Sequence, residues 1–250
     1  MIELKSSRQI EKMRQAGVIL KDTIEHIKPY IRPGITTNQL DDMAKKKIIS
    51  SGAQCAFLGY KGFPKSICAS LNEEIVHGIP SGRVLREKDI LSIDVGVEHK
   101  GYFSDAAVTV AIGKISPEIT RLIEVTKEAL YKAIDSAQLG VRVSDISCAI
   151  QGHVEKNKFS IIRDFVGHGI GANLHEDPQI PNFGQPGMGV RLKEGMVIAI
   201  EPMVSAGGIE IEILEDGWTA VTRDRSYAAH FEHTVAITAQ GPEILTDGIM

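Results

Sequence analysis

Cysteine is scarce in this chain, with three in 250 residues, and Cys55, Cys68 and Cys148 lack the paired spacing of a thiolate metal site. Disulfide scaffolds and zinc ribbons are excluded, so any metal has to rest on oxygen and imidazole. Also absent is an apolar run of about 18 residues, so no transmembrane helix is expected. The opening Met1-Ile2-Glu3-Leu4-Lys5 offers no apolar stretch for a signal peptide. The expectation is a cytoplasmic protein without membrane contact. Positive charge is sparse as well: 28 Lys and Arg stand against 32 Asp and Glu, a net charge of −4. The one dense basic run, Lys45-Lys46-Lys47, falls inside a helical pattern and reads as a solvated face. Nucleic acid is therefore not an expected partner.

Several catalytic signatures are missing too. There is no Walker loop, no Gly-x-Ser-x-Gly elbow and no H-E-x-x-H helix. Gly167-x-Gly169-x-x-Ala172 formally matches a dinucleotide fingerprint, but that motif needs a helix to start at once. Residues 173–186 are rich in Pro, Gly and Asn, which argues against a nicotinamide-dependent oxidoreductase.

What the sequence does contain is a plan written twice. Residues 6–28 place Ile10, Met13, Leu20, Ile24 and Ile27 at helical spacing, with Ser6 and Gln9 as a capping box. After Pro33-Gly34, Thr36 and Gln39 open a second helix in the same way. Ser116-Pro117-Glu118 starts a third that runs to about Gly140, and Ser144 opens a fourth. The strands repeat as well. Residues 85–94 read LREKDILSID and residues 192–201 read LKEGMVIAIE, each a charged turn and a strand ending in a carboxylate. Downstream, Asp105 precedes AAVTVAI and Glu232 precedes HTVAI. One domain over 1–250 is expected, with halves of about 6–113 and 116–246.

Each half thus supplies two carboxylates. Asp94 and Asp105 lie equally far from a turn centred between His99 and Lys100, and are expected to face each other across a hairpin. Their Cβ atoms would then be about 4.5–5.5 Å apart. Two like charges so close call for a shared proton or a cation between them. Asp216-Gly217 marks a tight turn between EIEIL and WTAVT, which enlarges the connection between Glu201 and Glu232. Oxygen-rich ligands favour hard divalent ions such as Mn²⁺, Fe²⁺ or Mg²⁺, and an imidazole shifts the balance toward transition metals. His168, between two glycines that let backbone approach closely, is the candidate imidazole, with His175 seven residues on. His26, His99, His153, His230 and His233 are read as structural.

The set Asp94, Asp105, His168, Glu201 and Glu232 is embedded in GHGIG, HEDPQ, IEPM and FEHT, and residues 72–80 read NEEIVHGIP. In these motifs the chain closely resembles the methionine aminopeptidases of the short, bacterial type, from Ile10 to Thr246. The resemblance implies an α+β pita-bread fold: two pseudo-symmetric halves with a central curved antiparallel sheet and helices outside. It implies two divalent ions (Co, Mn, Fe or Zn) on those five side chains, with Asp105 and Glu232 bridging. A water activated between the ions would attack the first peptide bond, with Glu201 as proton shuttle. His175 would stabilise the oxyanion, and His77 would guide the amide nitrogen. Phe57, Tyr60, Phe63, Cys68, Leu174 and Trp218 would form the methionine slot, alongside His77 and His175. Phe57 stands where that family commonly has Cys, and Leu174 where it commonly has an aromatic.

Implied partners are nascent polypeptides bearing an N-terminal Met and a small second residue, with ribosome association and a monomeric state. Two alternatives share the fold. Proline dipeptidases usually carry a separate N-terminal domain, whereas the pattern here begins by about residue 6. A metal-free binding protein would have lost ligands, and all five positions are filled.

Overall fold

Helix starts follow the capping residues. In the computed structural model, which describes residues 2–250, α1 spans Ser7–Ile27, α2 Thr37–Ser50, α3 Pro117–Ser136 and α4 Val143–Lys156. Gln9 and Gln39 accept the backbone N–H of Ser6 and Thr36 at 2.8 and 2.9 Å, completing both expected capping boxes. Such a cap is worth about 1 kcal/mol. The buried apolar residues of α1, Met13, Leu20, Ile24 and Ile27, each contribute about 1.5–3 kcal/mol. Packing therefore holds the helix, and the cap decides where it begins.

Two helix boundaries differ from expectation. α3 ends at Ser136 rather than near Gly140, and α4 begins two residues earlier than a cap at Ser144 would give. Arg142 is the N-cap, its backbone N–H held by Asp145 Oδ2 at 3.0 Å. The Ser144 hydroxyl is engaged elsewhere, donating to the Met188 carbonyl and accepting the Met188 N–H.

All strand pairing is antiparallel among the described residues. One larger sheet is built on the hairpin of Ile90–His99 with Tyr102–Ala111, whose first strand also pairs with Cys68–Leu71 and Gln54–Cys55. The other has the order Gly241–Ile244, His233–Thr238, Val197–Ile200, Val166–Gly169, Glu176–Pro181. Two three-stranded sheets flank them. The helix pairs α1–α2 and α3–α4 pack against these sheets, and no helix is long and apolar enough to cross a membrane.

The larger sheets meet along one short seam. Ala107 and Glu232 exchange two backbone hydrogen bonds, N–H to C=O, at 3.3 and 2.9 Å. On either side a threonine hydroxyl replaces a backbone partner. Thr234 Oγ1 accepts the Asp105 N–H and donates to the Asp105 carbonyl, and Thr109 Oγ1 does the same for His230.

The hairpin corrects one expectation. His99 pairs with Tyr102, so the turn is Lys100-Gly101, both left-handed with φ of 53° and 77°. That is the backbone a two-residue type I′ turn requires. Asp94 consequently lies opposite Ala107, and Asp105 opposite Gly96, a diagonal rather than a facing pair. Because the slip is two residues, both side chains remain on one face. Asp94 also sits midway along its strand rather than ending it.

Candidate metal centre

Four carboxylates and one imidazole converge where the two larger sheets join. Ligand atoms of Asp105, His168 and Glu232 lie within 4.8 Å of one another, and all three residues are buried. Asp94 joins from the hairpin, on the same sheet face as Asp105. Glu201 joins from the second sheet, 3.6 Å from His168 Nε2.

The placement of His168 follows from its neighbours. Gly167 and Gly169 pack so tightly on the carbonyls of Ala199 and Asp177 that a Cβ at either would strike backbone. His168 lies in the central part of that sheet and donates from Nδ1 to the Gly169 carbonyl at 2.9 Å. That bond fixes the tautomer and leaves the Nε2 lone pair free for a cation. Burial lowers its pKa, so the ring stays in the neutral, ligating form.

Without a cation the carboxyls are held out of their ordinary range. Burial pushes Asp94 up to about 7. Asp105, Glu201 and Glu232 are raised well above normal, first by burial and then by their neighbours' charge. Asp94 Oδ1, Asp105 Oδ1 and Glu232 Oε1 are buried without a hydrogen-bond partner. An unpaired buried polar atom costs about 1–3 kcal/mol, more when charged, so three in one cluster require a common partner. Divalent cations meet that requirement, and the oxygen-rich donor set with one imidazole suits them.

Every residue expected at the site lines one cavity of about 140 Å³: the five candidate ligands, His77, His175, Phe57, Tyr60, Phe63, Cys68, Leu174 and Trp218. A volume near 150 Å³ suffices for benzene, so the space matches one medium side chain. Phe63 and Trp218 meet edge to face at 5.2 Å, and His77 meets Trp218 at 6.0 Å. His175 is sandwiched between Tyr60, stacked at 5.3 Å, and His168 at 4.1 Å. Burial first, then neighbouring positive groups, lower His175 to about 3, so it is a neutral hydrogen-bonding group. His77 adopts a left-handed φ of 60°, a strained backbone of the kind that persists where surrounding structure imposes it.

Comparison with known proteins decides what kind of site this is. Residues 11–239 match the family described as metallopeptidase family M24. The chain belongs to metallopeptidase family M24. Within it, the chain is 52% identical to methionine aminopeptidase 1 of Bacillus subtilis over 246 residues, 98% of this chain and 99% of that one. It is 51% identical to the methionine aminopeptidase of Clostridium perfringens, over the same shares. The crystal structure of the Thermotoga maritima methionine aminopeptidase superposes with a TM-score of 0.98 at 46% identity, covering 99% of this chain and 100% of that one. Prolidase from Pyrococcus furiosus shares the fold at a TM-score of 0.80 and 22% identity, with 98% of this chain matching 65% of the prolidase. The chain is thus a metal-dependent hydrolase with the pita-bread fold, in the methionine aminopeptidase branch of M24.

Four residues in or beside this M24 site escaped sequence reasoning. Lys61 and Val76 line the cavity, and only their place in the fold brings them there. Lys5 is the third. Its ammonium forms a buried ion pair with Glu176, whose other oxygen accepts the Asn173 N–H at 3.0 Å. The pair braces the turn that carries His175. Finally, His230, read as structural from the sequence, stands 3.9 Å from a carboxylate oxygen of both Glu201 and Glu232.

Proposed function

We propose that this chain removes the N-terminal methionine of newly made polypeptides, using two divalent ions held by Asp94, Asp105, His168, Glu201 and Glu232. The observation that carries the reading is the convergence of unpaired, buried carboxylate oxygens beside a neutral imidazole, in a cavity with mostly apolar walls. Four carboxylates supply four negative charges, which two divalent cations balance. Asp105 and Glu232, from opposite sides of the seam, are the pair suited to bridge both ions. Bound there, the ions supply Lewis acidity and bring the pKa of water toward neutrality.

The protein's own groups do the rest. Glu201 takes the proton that the attacking water gives up and passes it to the departing amine. Neutral His175, fixed between Tyr60 and His168, donates to the oxygen that gains charge as the amide carbon becomes tetrahedral. His77, at the Trp218 side, orients the amide nitrogen. Phe57, Phe63, Cys68, Leu174 and Trp218 exclude water and accept an unbranched thioether. A cavity of this size favours a small second residue. The two halves, sharing the core and the seam, are proposed to fold as a single domain, and the enzyme to act as a cytoplasmic monomer near the ribosome.

The test starts from chelated protein. Release of free methionine from Met-Ala-Ser should return on titration with Mn²⁺, Fe²⁺ or Co²⁺, with Ala-Pro left intact. Cleavage of Ala-Pro instead would move the chain to the proline dipeptidase reading, and no cleavage with any ion would leave a binding protein.

A further inference from the structure

His230 is the one imidazole beside the carboxylates for which the reading above has no task. Its side chain is about 1% exposed, and Nε2 is buried with no hydrogen-bond partner. The polar atoms facing that nitrogen are Glu201 Oε2 and Glu232 Oε2, each 3.9 Å away, too far for a hydrogen bond yet equally distant. A buried N–H left without a partner is costly, so an arrangement in which those carboxylates close on it is favoured.

The backbone around His230 shows which side moves. Thr109 Oγ1 holds both its N–H and its carbonyl, at 2.9 and 2.8 Å, and the strand Ala228–His230 pairs with Met203–Ser205. That anchors the His230 backbone, and its ring has two side-chain torsions. Glu201 and Glu232 have three each, so their carboxylates are the more adjustable partners. The seam adds a second observation. Thr109 clamps the backbone of His230 in the way that Thr234 clamps that of Asp105, one of the candidate ligands, so both stand on the same seam.

We propose that His230 is a positioning residue: its Nε2–H is donated into the gap between Glu201 and Glu232 and sets both carboxylates in their ligating orientation. The proposal rests on the dinuclear reading of the site. Groups that orient ligands in this way typically change metal affinity or activity about 10–100-fold when removed.

Three variants test it: His230→Leu, which fills the space without a donor; His230→Gln, whose longer amide reaches the gap; and His230→Asn, whose amide falls short. Each is prepared metal-free, checked for folding by thermal melting, and titrated with Co²⁺ by calorimetry and visible absorption. Leu and Asn should bind Co²⁺ about 10–100-fold more weakly, with altered d–d bands and a lower kcat at near-constant KM for Met-Ala-Ser. Gln should restore band positions and affinity. Should Leu fail to fold, the Asn and Gln pair carries the same contrast between two polar side chains. Folded Leu or Asn variants with wild-type Co²⁺ affinity and spectrum would overturn the proposal. A wild-type protein that takes up no Co²⁺ would overturn the dinuclear reading and this proposal with it.

Discussion

Asp94 and Asp105 stand inside the regular hairpin of residues 90–111, whereas Glu201 and Glu232 stand just beyond the ends of short strands. In the first pair, ladders on both sides of Asp94, and a ladder and the Thr234 hydroxyl on the two sides of Asp105, fix the backbone, and the turn alone sets which residues share a face. In the second, Pro202 follows Glu201 directly and has no N–H to continue a ladder, so the strand stops at the carboxylate. Glu232 takes its backbone partner from the first half, at Ala107. One pair is thus set by register and the other by contacts across the molecule. The second pair is the one that His230 faces.

Neutralising one carboxylate in each pair gives the largest expected effect. Asp105→Asn removes a ligand suited to both ions and should bring bound Co²⁺ and methionine release to background. Glu201→Gln should keep one ion per chain and lose most activity. Metal content by atomic absorption, read beside the Met-Ala-Ser assay, checks both, and an Asp105→Asn protein with a full complement of ion would end the bridging assignment. The same Asp105→Asn protein should melt higher than the metal-free wild type at pH 8, since it buries one carboxyl fewer that has to ionise.

A pH series separates the carboxylates from the histidines. Asp94, at about 7, and the other three carboxyls bind protons more tightly folded than unfolded. Their contribution is fully present below about pH 4 and is lost as pH rises through the folded values. His175 and His230, at about 3, and His233, at about 4, behave oppositely: their contribution is present above about 6.5 and lost as pH falls through 4 and 3. Above pH 7 the histidines are neutral folded or unfolded and the carboxyls act, joined toward pH 9 by Cys55 and Cys68, whose thiols burial also raises. Chelated protein should therefore lose melting temperature between pH 7 and 9, whereas Mn²⁺-loaded protein should hold it. Parallel curves for the two forms would mean that the carboxyls are not the cation site.

Bracing of the second half from a distance can be broken at Lys5. Lys5→Met leaves Glu176 buried and unpaired, at a cost of about 3–5 kcal/mol. In a chain of this size that lowers the melting temperature by roughly 10 °C. kcat should fall as well, because Glu176 braces the turn bearing His175, and adding Glu176→Gln should recover much of the stability. A wild-type melting temperature for Lys5→Met would place the pair outside the core bracing.

Legibility in the sequence divides along the same line. Ser6, Thr36 and Ser116 could be read as caps because capping is local, and the flanking glycines of His168 announced a close approach that the sheet does make. The carboxylates were found through the repeat, and the motifs around them carried the family. The hairpin register was misjudged by two residues because Lys100 gives no outward sign of a left-handed backbone. Lys5 was invisible for a different reason, since it reaches Glu176 from chain remote in sequence, while Lys61 and His230 stand beside Tyr60 and Glu232 and only the fold shows which way they face.

The smallest expected effect sharpens the claim that the turn, and not the ligands, sets the first pair. Lys100 holds φ at 53°, where an L residue without a local side-chain hydrogen bond is disfavoured, while the next position is already Gly101. Asn-Gly is the preferred pair for a type I′ turn, so Lys100→Asn relieves strain without altering register. A gain of about 0.5–1 kcal/mol is expected, which in a domain of this size raises the melting temperature by roughly 1–4 °C. Co²⁺ affinity should not change, since Asp94 and Asp105 keep their diagonal. Inserting one residue into the same turn should do the reverse, because an odd shift sends Asp105 to the opposite face and removes it from the cavity. A stabilised Lys100→Asn with altered Co²⁺ affinity would show that the ligands strain the hairpin, rather than the hairpin placing the ligands.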